Sequence, residues 1–289
     1  MLNDAYAGDA NSAQAIHADV EQAVEALLAQ GALQWLSCVG YDIPILLYHK
    51  VAEVVPTGNS VWISQRRFAE QMGYLSASGY TTVSFQDYLA YRTGIASPPS
   101  RPVILTFDDG YADIVRIVRP ILDKYGFTAA IFLVTDFIGT SQRMTNSWDP
   151  PEAHYGVEML LWSEVSELAV AGYEFGAHTQ SHPLLSMINL TRGRQEIAGS
   201  AADLRGHLGV QPRIFAYPFG DGAGLPRIET LVQEAGFAAA VSTHPGVANT
   251  LTSDIWALPR IKITDGDTLP PEQDIFSLRV SSAGGSAQA

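Results

Sequence analysis

Residues 104–113 read ILTFDDGYAD, an apolar run that ends in two adjacent carboxylates, a glycine and a tyrosine. The segment 103–107 has the composition of a buried strand. Asp108 and Asp109 follow it directly, and two like charges at close quarters resist ionising together. Either the pair is solvated in a turn, where Asp and Gly are common, or a neighbouring group offsets the repulsion.

The same pattern of an apolar strand followed by a helical segment recurs along the chain. Apolar strands that alternate with helices indicate a parallel sheet covered on both faces. With about seven such units we predict an α/β fold, a distorted (β/α) barrel of about seven parallel strands. The strands are predicted at 43–49, 103–107, 129–134, 173–178, 213–217, 238–242 and 255–263, and the helices at 64–79, 112–125, 162–171, 191–208 and 226–235.

Two segments flank this repeating pattern. Residues 12–36 carry apolar positions at helical spacing, which predicts an extra N-terminal helix within an extension over 1–40. The chain after Asp274 is rich in Ser, Gly and Ala, so we expect a flexible tail over 271–289. The main domain is then expected over 41–270.

Composition excludes several classes of partner. The 289 residues carry a formal charge of −13, which argues against nucleic acid because phosphates attract Lys and Arg. No stretch approaches the about 20 apolar residues of a membrane span, and the first residues lack the basic and apolar segments of an export signal. The single cysteine, Cys38, excludes an intramolecular disulfide and leaves the redox compartment open.

Polar side chains follow several of the predicted strands at the point where each strand ends. The carboxyl ends of parallel barrel strands share one face, where such barrels hold their chemistry. We therefore expect one site to gather the residues at these ends, which are Asp108, Asp109, His178, His182, His49, Tyr217, Pro218, Phe219 and Gly220.

His178 and His182 are the second notable pair. Pro183 disfavours helical geometry at His182, so a turn is expected. Two histidines and one carboxylate form a familiar ligand set for Zn²⁺ or a similar divalent ion, with positions left for water. If Asp109 is that carboxylate, its charge is offset and Asp108 can stay ionised as a base. Taken separately, the pairs also fit incidental surface histidines and a solvated turn, but together they favour a metal site.

These residues carry a family resemblance. TFDDG (106–110) and HTQSH (178–182) resemble the first two motifs of the polysaccharide deacetylase superfamily, carbohydrate esterase family 4, over roughly residues 43–263. The resemblance implies that Asp108 is the catalytic base and that Asp109, His178 and His182 bind one divalent ion, Zn²⁺ first and Ni²⁺ or Co²⁺ as alternatives.

The chain departs from the family pattern at two places. The family's final motif ends in a catalytic-acid His near the C-terminus; here LLYH (46–49) lies upstream instead. This resembles the circularly permuted subgroup typified by biofilm poly-β-1,6-N-acetylglucosamine deacetylases, and it implies that His49 is the acid.

The third motif is the other departure. AYPFG (216–220) has Ala216 where the family places an Arg that steadies the catalytic aspartate. Arg260 could substitute for it, with Arg213 as a weaker candidate. Phe219 matches the aromatic residue whose backbone N–H helps to form the oxyanion site, and Tyr217 and Pro218 beside it are candidates for substrate binding.

The expected function is metal-dependent removal of N-acetyl groups from a polysaccharide or oligosaccharide of N-acetylglucosamine, with an acetylated carbohydrate as the partner. The alternatives are deacetylation of a chitooligosaccharide, peptidoglycan or acetylxylan, hydrolysis of a small amide on the same fold, or an inactive carbohydrate-binding module. The family suggests an extracytoplasmic or cell-envelope location. Trp148, Trp162 and Tyr217 could offer a sugar ring a flat surface, although Trp162 fits the apolar face of a helix. Nothing in the sequence indicates the oligomeric state.

Overall fold

The computed structural model describes residues 40–56, 59, 61–141 and 158–265. The predicted N-terminal helix, the predicted tail and Trp148 lie outside these residues. The domain boundaries drawn at 1–40, 41–270 and 271–289 therefore stay predictions.

The described residues form short strands that alternate with helices. The helices are α1 (Gln65–Ala77), α2 (Phe85–Arg92), α3 (Arg119–Tyr125), α4 (Trp162–Val170), α5 (Leu190–Leu208) and α6 (Pro226–Glu234). The strands are β1 (Asp42–Ile43), β2 (Ile45–Tyr48), β3 (Lys50–Ala52), β4 (Trp62–Ser64), β5 (Thr81–Thr82), β6 (Pro102–Phe107), β7 (Ala130–Leu133), β8 (Glu174–Ala177), β9 (Ile214–Ala216), β10 (Ala239–Pro245), β11 (Ala248–Asn249) and β12 (Leu258–Lys262).

Seven of these strands close into a parallel barrel. Their order is β2, β12, β10, β9, β8, β7 and β6, and β6 pairs with β2 to complete the ring. β5 pairs in parallel with the first two residues of β6. β3–β4 and β1–β11 form separate two-stranded sheets. The predicted (β/α) barrel of about seven parallel strands is confirmed.

Alternate residues of the barrel strands form an inner apolar cluster, as the two-residue period of a strand requires. This cluster joins side chains from β2, β6, β7, β9, β10 and β12, including Ile45, Ile104 and Phe132. Gly176 makes room for it, because a Cβ there would lie 2.5 Å from the Phe132 ring and 2.6 Å from the carbonyl oxygen of Ile214.

Apart from α2, whose buried aromatic side chains join the inner cluster, the helices cover the outside of the barrel through one apolar face each. In α1 that face is Phe68, Met72 and Leu75, and Ser64 caps the helix by accepting the Arg67 N–H. The segment predicted as one helix over 112–125 is a π-helical turn, Ile114–Val118, followed by α3. No helix among the described residues is long and apolar enough to cross a membrane.

Candidate metal centre and active site

The two aspartates lie in a tight turn at the end of β6. Every residue of β6 is buried, and Asp108 and Asp109 are each only 1% exposed. Asp109 has φ 77° and Gly110 has φ 86°. A Cβ on Gly110 would lie 2.7 Å from Cδ2 of Leu133, so the glycine lets this turn pack against the neighbouring strand. The pair is therefore not a solvated turn.

Arg260 offsets the charge of Asp108. Arg260 lies on β12, is 1% exposed, and donates two hydrogen bonds of 2.8 Å to the two carboxylate oxygens of Asp108. Its Nε donates to the carbonyl oxygen of Ser242 at 2.8 Å. Burial alone would raise the pKa of Asp108, but the Arg260 guanidinium, followed by His178, holds this pKa well below its usual range. The arginine that sequence comparison finds missing at Ala216 thus has a counterpart on another strand.

Asp109, His178 and His182 bring three potential ligand atoms together. The Nε2 atoms of the two histidines are 3.2 Å apart, and Oδ1 of Asp109 lies 3.6 Å from Nε2 of His178 and 3.4 Å from Nε2 of His182. Ligand atoms about 2.0–2.1 Å from a tetrahedral zinc ion lie about 3.3 Å apart. The spacing therefore fits a single small divalent ion.

The protonation of the histidines also suits a metal. Nδ1 of His178 donates to the carbonyl oxygen of Ala216 at 2.8 Å, which leaves the lone pair on Nε2 facing Asp109. Burial lowers the pKa of His178 to about 4 and that of His182 to about 3. Both imidazoles are thus neutral near pH 7, the form that binds metal ions.

The backbone around this site is unusual. Among the described residues, the non-glycine residues with positive φ are Asp109 (77°), Thr179 (65°), His182 (61°) and Phe219 (61°). Such conformations cost about 1–3 kcal/mol each and persist where surrounding contacts enforce them. The strain is concentrated where the side chains converge.

His49 and Phe219 lie at the edges of this cluster. His49 follows β2 and is half-buried. Burial has the largest effect on two nearby groups: it raises the pKa of Asp108 and lowers the pKa of His182. The charge of His49 lowers the pKa of each. The ring of Phe219 lies 4.5 Å from that of His182. The structure therefore gathers residues from β2, β6, β8, β9 and β12 at one end of the barrel.

Other candidate residues have different surroundings. Tyr217 is fully buried and packs at 5.1 Å against Phe215, so its ring cannot serve as a platform for a sugar. Pro218 is also buried and begins the turn that carries Phe219. Trp162 stacks on His207 with ring centroids 3.8 Å apart, which agrees with packing rather than sugar contact.

Sequence reasoning did not single out Asp113, the last residue of the opening stretch. Its Oδ2 accepts the N–H of Val51 at 2.7 Å and so fastens β3, the strand after His49, to the segment after the paired aspartates. Burial raises the pKa of Asp113 to about 7. The only sequence signal was its position four residues after Asp109.

Comparisons with known proteins point in the same direction. A family model described as polysaccharide deacetylase matches residues 96–240, about half of the chain. The matched segment contains Asp108, Asp109, His178 and His182, whereas His49 and Arg260 lie outside it.

Three curated relatives extend the comparison. YxkH of Bacillus subtilis (strain 168), named as a polysaccharide deacetylase, is 28% identical over 226 residues, which are 78% of this chain and 72% of that protein. Poly-beta-1,6-N-acetyl-D-glucosamine N-deacetylase of Staphylococcus aureus (strain MRSA252) is 25% identical over 70% of this chain and 68% of its own length. The enzyme of that name from Escherichia coli (strain K12) is 23% identical over 77% of this chain, which spans only 36% of that relative.

Solved structures share the fold. A Streptococcus pyogenes deacetylase, solved in complex with acetate, superposes with a TM-score of 0.68 at 24% identity, over 79% of this chain and 95% of that chain. At this identity the likeness supports the barrel architecture, and the chemistry has to be argued from the site itself.

Proposed function

Because this chain belongs to the polysaccharide deacetylase family and is a carbohydrate deacetylase, we propose that it is a metal-dependent N-deacetylase of a polysaccharide or oligosaccharide of N-acetylglucosamine. The observation that carries this proposal is the convergence of two carboxylates with different roles. Asp109 faces two neutral histidines at ligand spacing, while Asp108 is held ionised by Arg260.

Asp109, His178 and His182 would hold the divalent ion. Zn²⁺ is proposed first because two imidazole nitrogens and one carboxylate oxygen are ligands that it commonly takes, and Ni²⁺ and Co²⁺ are the alternatives. When bound, such an ion lowers the pKa of a water molecule and polarises an acyl carbonyl. The remaining chemistry belongs to the side chains around it.

Asp108 is proposed as the general base. Its two oxygens each accept one bond from Arg260, and a carboxylate has about four lone-pair sites, so acceptor capacity remains for an attacking water. The bidentate contact fixes the orientation of the carboxylate and keeps it ionised at neutral pH. Asp108 would take the proton that the water loses as it attacks the acetyl carbonyl.

Phe219 is proposed to stabilise the oxyanion, and His49 is proposed to protonate the leaving group. The left-handed turn at Phe219 lies beside His182, and its backbone N–H is proposed to donate to the developing oxyanion. His49 lies on the same end of the barrel, close enough for its charge to act on Asp108. It would protonate the departing amine, because an amine is a poor leaving group until it gains a proton.

The substrate proposal rests on two observations. Relatives from two bacteria are named poly-beta-1,6-N-acetyl-D-glucosamine N-deacetylases. In addition, His49 comes from the first barrel strand, upstream of the paired aspartates, as in the permuted subgroup that this chain resembles.

The test is a comparison of acetate release from four substrates at equal acetyl concentration. These are β-1,6-linked N-acetylglucosamine oligomers, β-1,4-linked N-acetylglucosamine oligomers, peptidoglycan and acetylxylan. The proposal expects the highest kcat/KM on the β-1,6-linked oligomers. Preference for another acetylated substrate would overturn the proposed β-1,6-linked substrate but not the deacetylase activity. If none of the four substrates released acetate, the proposed activity itself would be overturned.

A further inference from the structure

The loop that joins the two histidine ligands is held by one face of helix α5. Residues 179–181 lie between His178 and His182, and Thr179 and His182 both have positive φ. A β-branched residue such as Thr seldom adopts this conformation. Contacts from outside the loop must therefore maintain it.

Glu196 on α5 supplies three of these contacts. It is fully buried, and its Oε2 accepts the backbone N–H groups of Gln180 at 3.0 Å and Ser181 at 2.8 Å. Its Oε1 accepts the Ser181 hydroxyl at 2.6 Å and pairs with Arg192. One buried carboxylate thus satisfies three donors of a five-residue loop, and charge-assisted hydrogen bonds of this kind are the strong ones.

Two further residues of α5 complete the contact. Gly199 and Asp203 follow Glu196 by three and seven residues, so all three lie on one face of the helix. Oδ2 of Asp203 accepts the side-chain amide of Gln180 at 3.1 Å. A Cβ on Gly199 would collide with the Gln180 side chain, so the glycine provides the space in which that side chain lies.

The opposite edge of the loop is held by the turn after β7. The N–H of Thr135 donates to the carbonyl oxygen of Thr179 at 3.2 Å, and the N–H of Asp136 donates to that of Gln180 at 2.9 Å. The hydroxyl of Thr135 donates to Asp203 at 2.7 Å, which links this turn to α5 as well. The loop is therefore fixed on both edges by contacts that do not involve the three ligand atoms.

From these contacts we infer that Glu196, Gly199 and Asp203 are positioning residues that preorganise the metal-ligand loop and so set the affinity of the site for its ion. The inference rests on the proposed metal site. Glu196 touches neither the ligand atoms nor the substrate in this account, and its effect reaches them through the backbone of Gln180 and Ser181. Groups that orient metal ligands typically contribute about 10–100-fold to metal affinity.

The experiment measures Zn²⁺ affinity of the full chain by competition with a chromogenic chelator, with circular dichroism to verify folding. Glu196→Ala removes all three acceptor contacts and is expected to weaken Zn²⁺ binding about 10–100-fold. Glu196→Gln keeps one oxygen able to accept both backbone N–H groups, so it is expected to restore most of the affinity. The control is Glu174→Ala, which removes a partly buried carboxylate that accepts a backbone N–H at the other end of β8 and should leave the affinity unchanged.

A second variant covers the case in which Glu196→Ala does not fold. Gly199→Ala suits a helix better than glycine does, yet it displaces Gln180 from Asp203. It is expected to fold and to bind Zn²⁺ more weakly than wild type, by a smaller factor than Glu196→Ala. Hydrogen exchange of the peptide that spans 178–182 should be faster in both variants.

The outcomes separate the inference from the proposed function. A wild-type protein that binds no Zn²⁺ contradicts the metal-dependent function itself. A wild-type protein that binds Zn²⁺, with folded α5 variants of equal affinity, overturns the positioning role alone. An equal loss in Glu174→Ala also overturns it, because the effect would then follow from general loss of stability.

Discussion

At the scale of single residues, the contact between Asp108 and Arg260 determines the charge balance of the site. Both side chains are almost completely buried, and the guanidinium meets both carboxylate oxygens at 2.8 Å. A buried ion pair adds little over a well-packed apolar pair, but the loss of one partner leaves an uncompensated charge. We therefore expect Arg260 to contribute both to the stability of the fold and to the ionisation of Asp108.

Replacing Arg260 by Met should lower the free energy of unfolding by about 3–5 kcal/mol, because Asp108 would then be buried without its counter-charge. Urea denaturation of the metal-free protein measures this change. The double variant Arg260→Met with Asp108→Asn should recover part of the loss, since it removes the orphaned charge. A single variant as stable as wild type would contradict the assigned role of the pair.

Replacing His49 by Ala should distinguish its role as an acid from a role in packing. We expect the rate of amide cleavage to fall about 10²–10⁴-fold, because the amine must be protonated as it leaves. An activated aryl acetate has a good leaving group and should be affected much less. The measurement is the ratio of kcat/KM for the two substrates in wild type and variant, and equal losses on both would exclude His49 as the acid.

The sequence identified many of the side chains in the site, but it did not indicate the backbone conformation that brings them together. The motifs 106–110 and 178–182 identified four of the converging side chains. Positive φ at Thr179 has no sequence signal, since it is imposed by contacts from α5 and the turn after β7. The reach of Arg260 to Asp108 follows from β12 lying beside β2, which no local pattern indicates.

At the scale of secondary-structure elements, β8 has a polar group at each end, one buried and one partly buried. His178 follows its carboxyl end, and Glu174 begins it. The carboxylate of Glu174 accepts the N–H of Phe85 at 2.7 Å and so connects the strand to the start of α2. Burial raises the pKa of Glu174 to about 7.

This raised pKa predicts a pH-dependent stability. A carboxyl group whose pKa is higher in the folded state stabilises the fold while it is protonated. For Glu174 this contribution is fully present below the unfolded pKa, near 4.5, and is lost as the pH rises through about 7. Glu174→Gln cannot ionise, so it should raise the melting temperature at pH 8 and change it little at pH 4.5. Thermal melts at both pH values measure the effect.

The control for that experiment is Glu167→Gln, which changes an exposed carboxylate on α4. It should show no comparable gain at pH 8. An equal gain in both variants would instead indicate relief of the general negative charge, and no gain in Glu174→Gln would contradict the burial argument.

The elements most easily predicted were those with long apolar patterns. The strand at 103–107 and the helix at 191–208 match β6 and α5 closely. Helix α2 was missed although Ser84 and Asp87 form a capping box, because its eight residues are short and its buried aromatic residues face the barrel interior. The three-residue strands β3 and β4 were also missed, since their pairing depends on tertiary contacts.

At the scale of the whole molecule, the barrel closes through its first strand. β2 lies between β12 and β6, and it delivers His49 to the same end as the residues that follow β6 and β8. The alternation of strands and helices predicted this architecture, because a parallel strand must be followed by a crossover that returns the chain.

The net charge of −13 predicts how salt affects the enzyme. Each N-acetyl group removed leaves an amine that is cationic at neutral pH, so a partly deacetylated oligomer should be attracted to an acidic protein. Raising NaCl from about 10 mM to about 300 mM shortens the Debye length severalfold. The KM for the partly deacetylated oligomer should rise, while that for the fully acetylated one should stay nearly constant. Equal changes for both substrates would exclude this attraction.

We propose that Asp109, His178 and His182 hold a metal ion on which deacetylation depends. The most direct test is metal content by plasma mass spectrometry, with acetate release measured on the same samples, for wild type and Asp109→Ala after loading with Zn²⁺. We expect about one divalent ion per chain in the wild type, and loss of both metal and activity in the variant. A wild type that releases acetate without bound metal, or a variant that loses metal and keeps full activity, would contradict it.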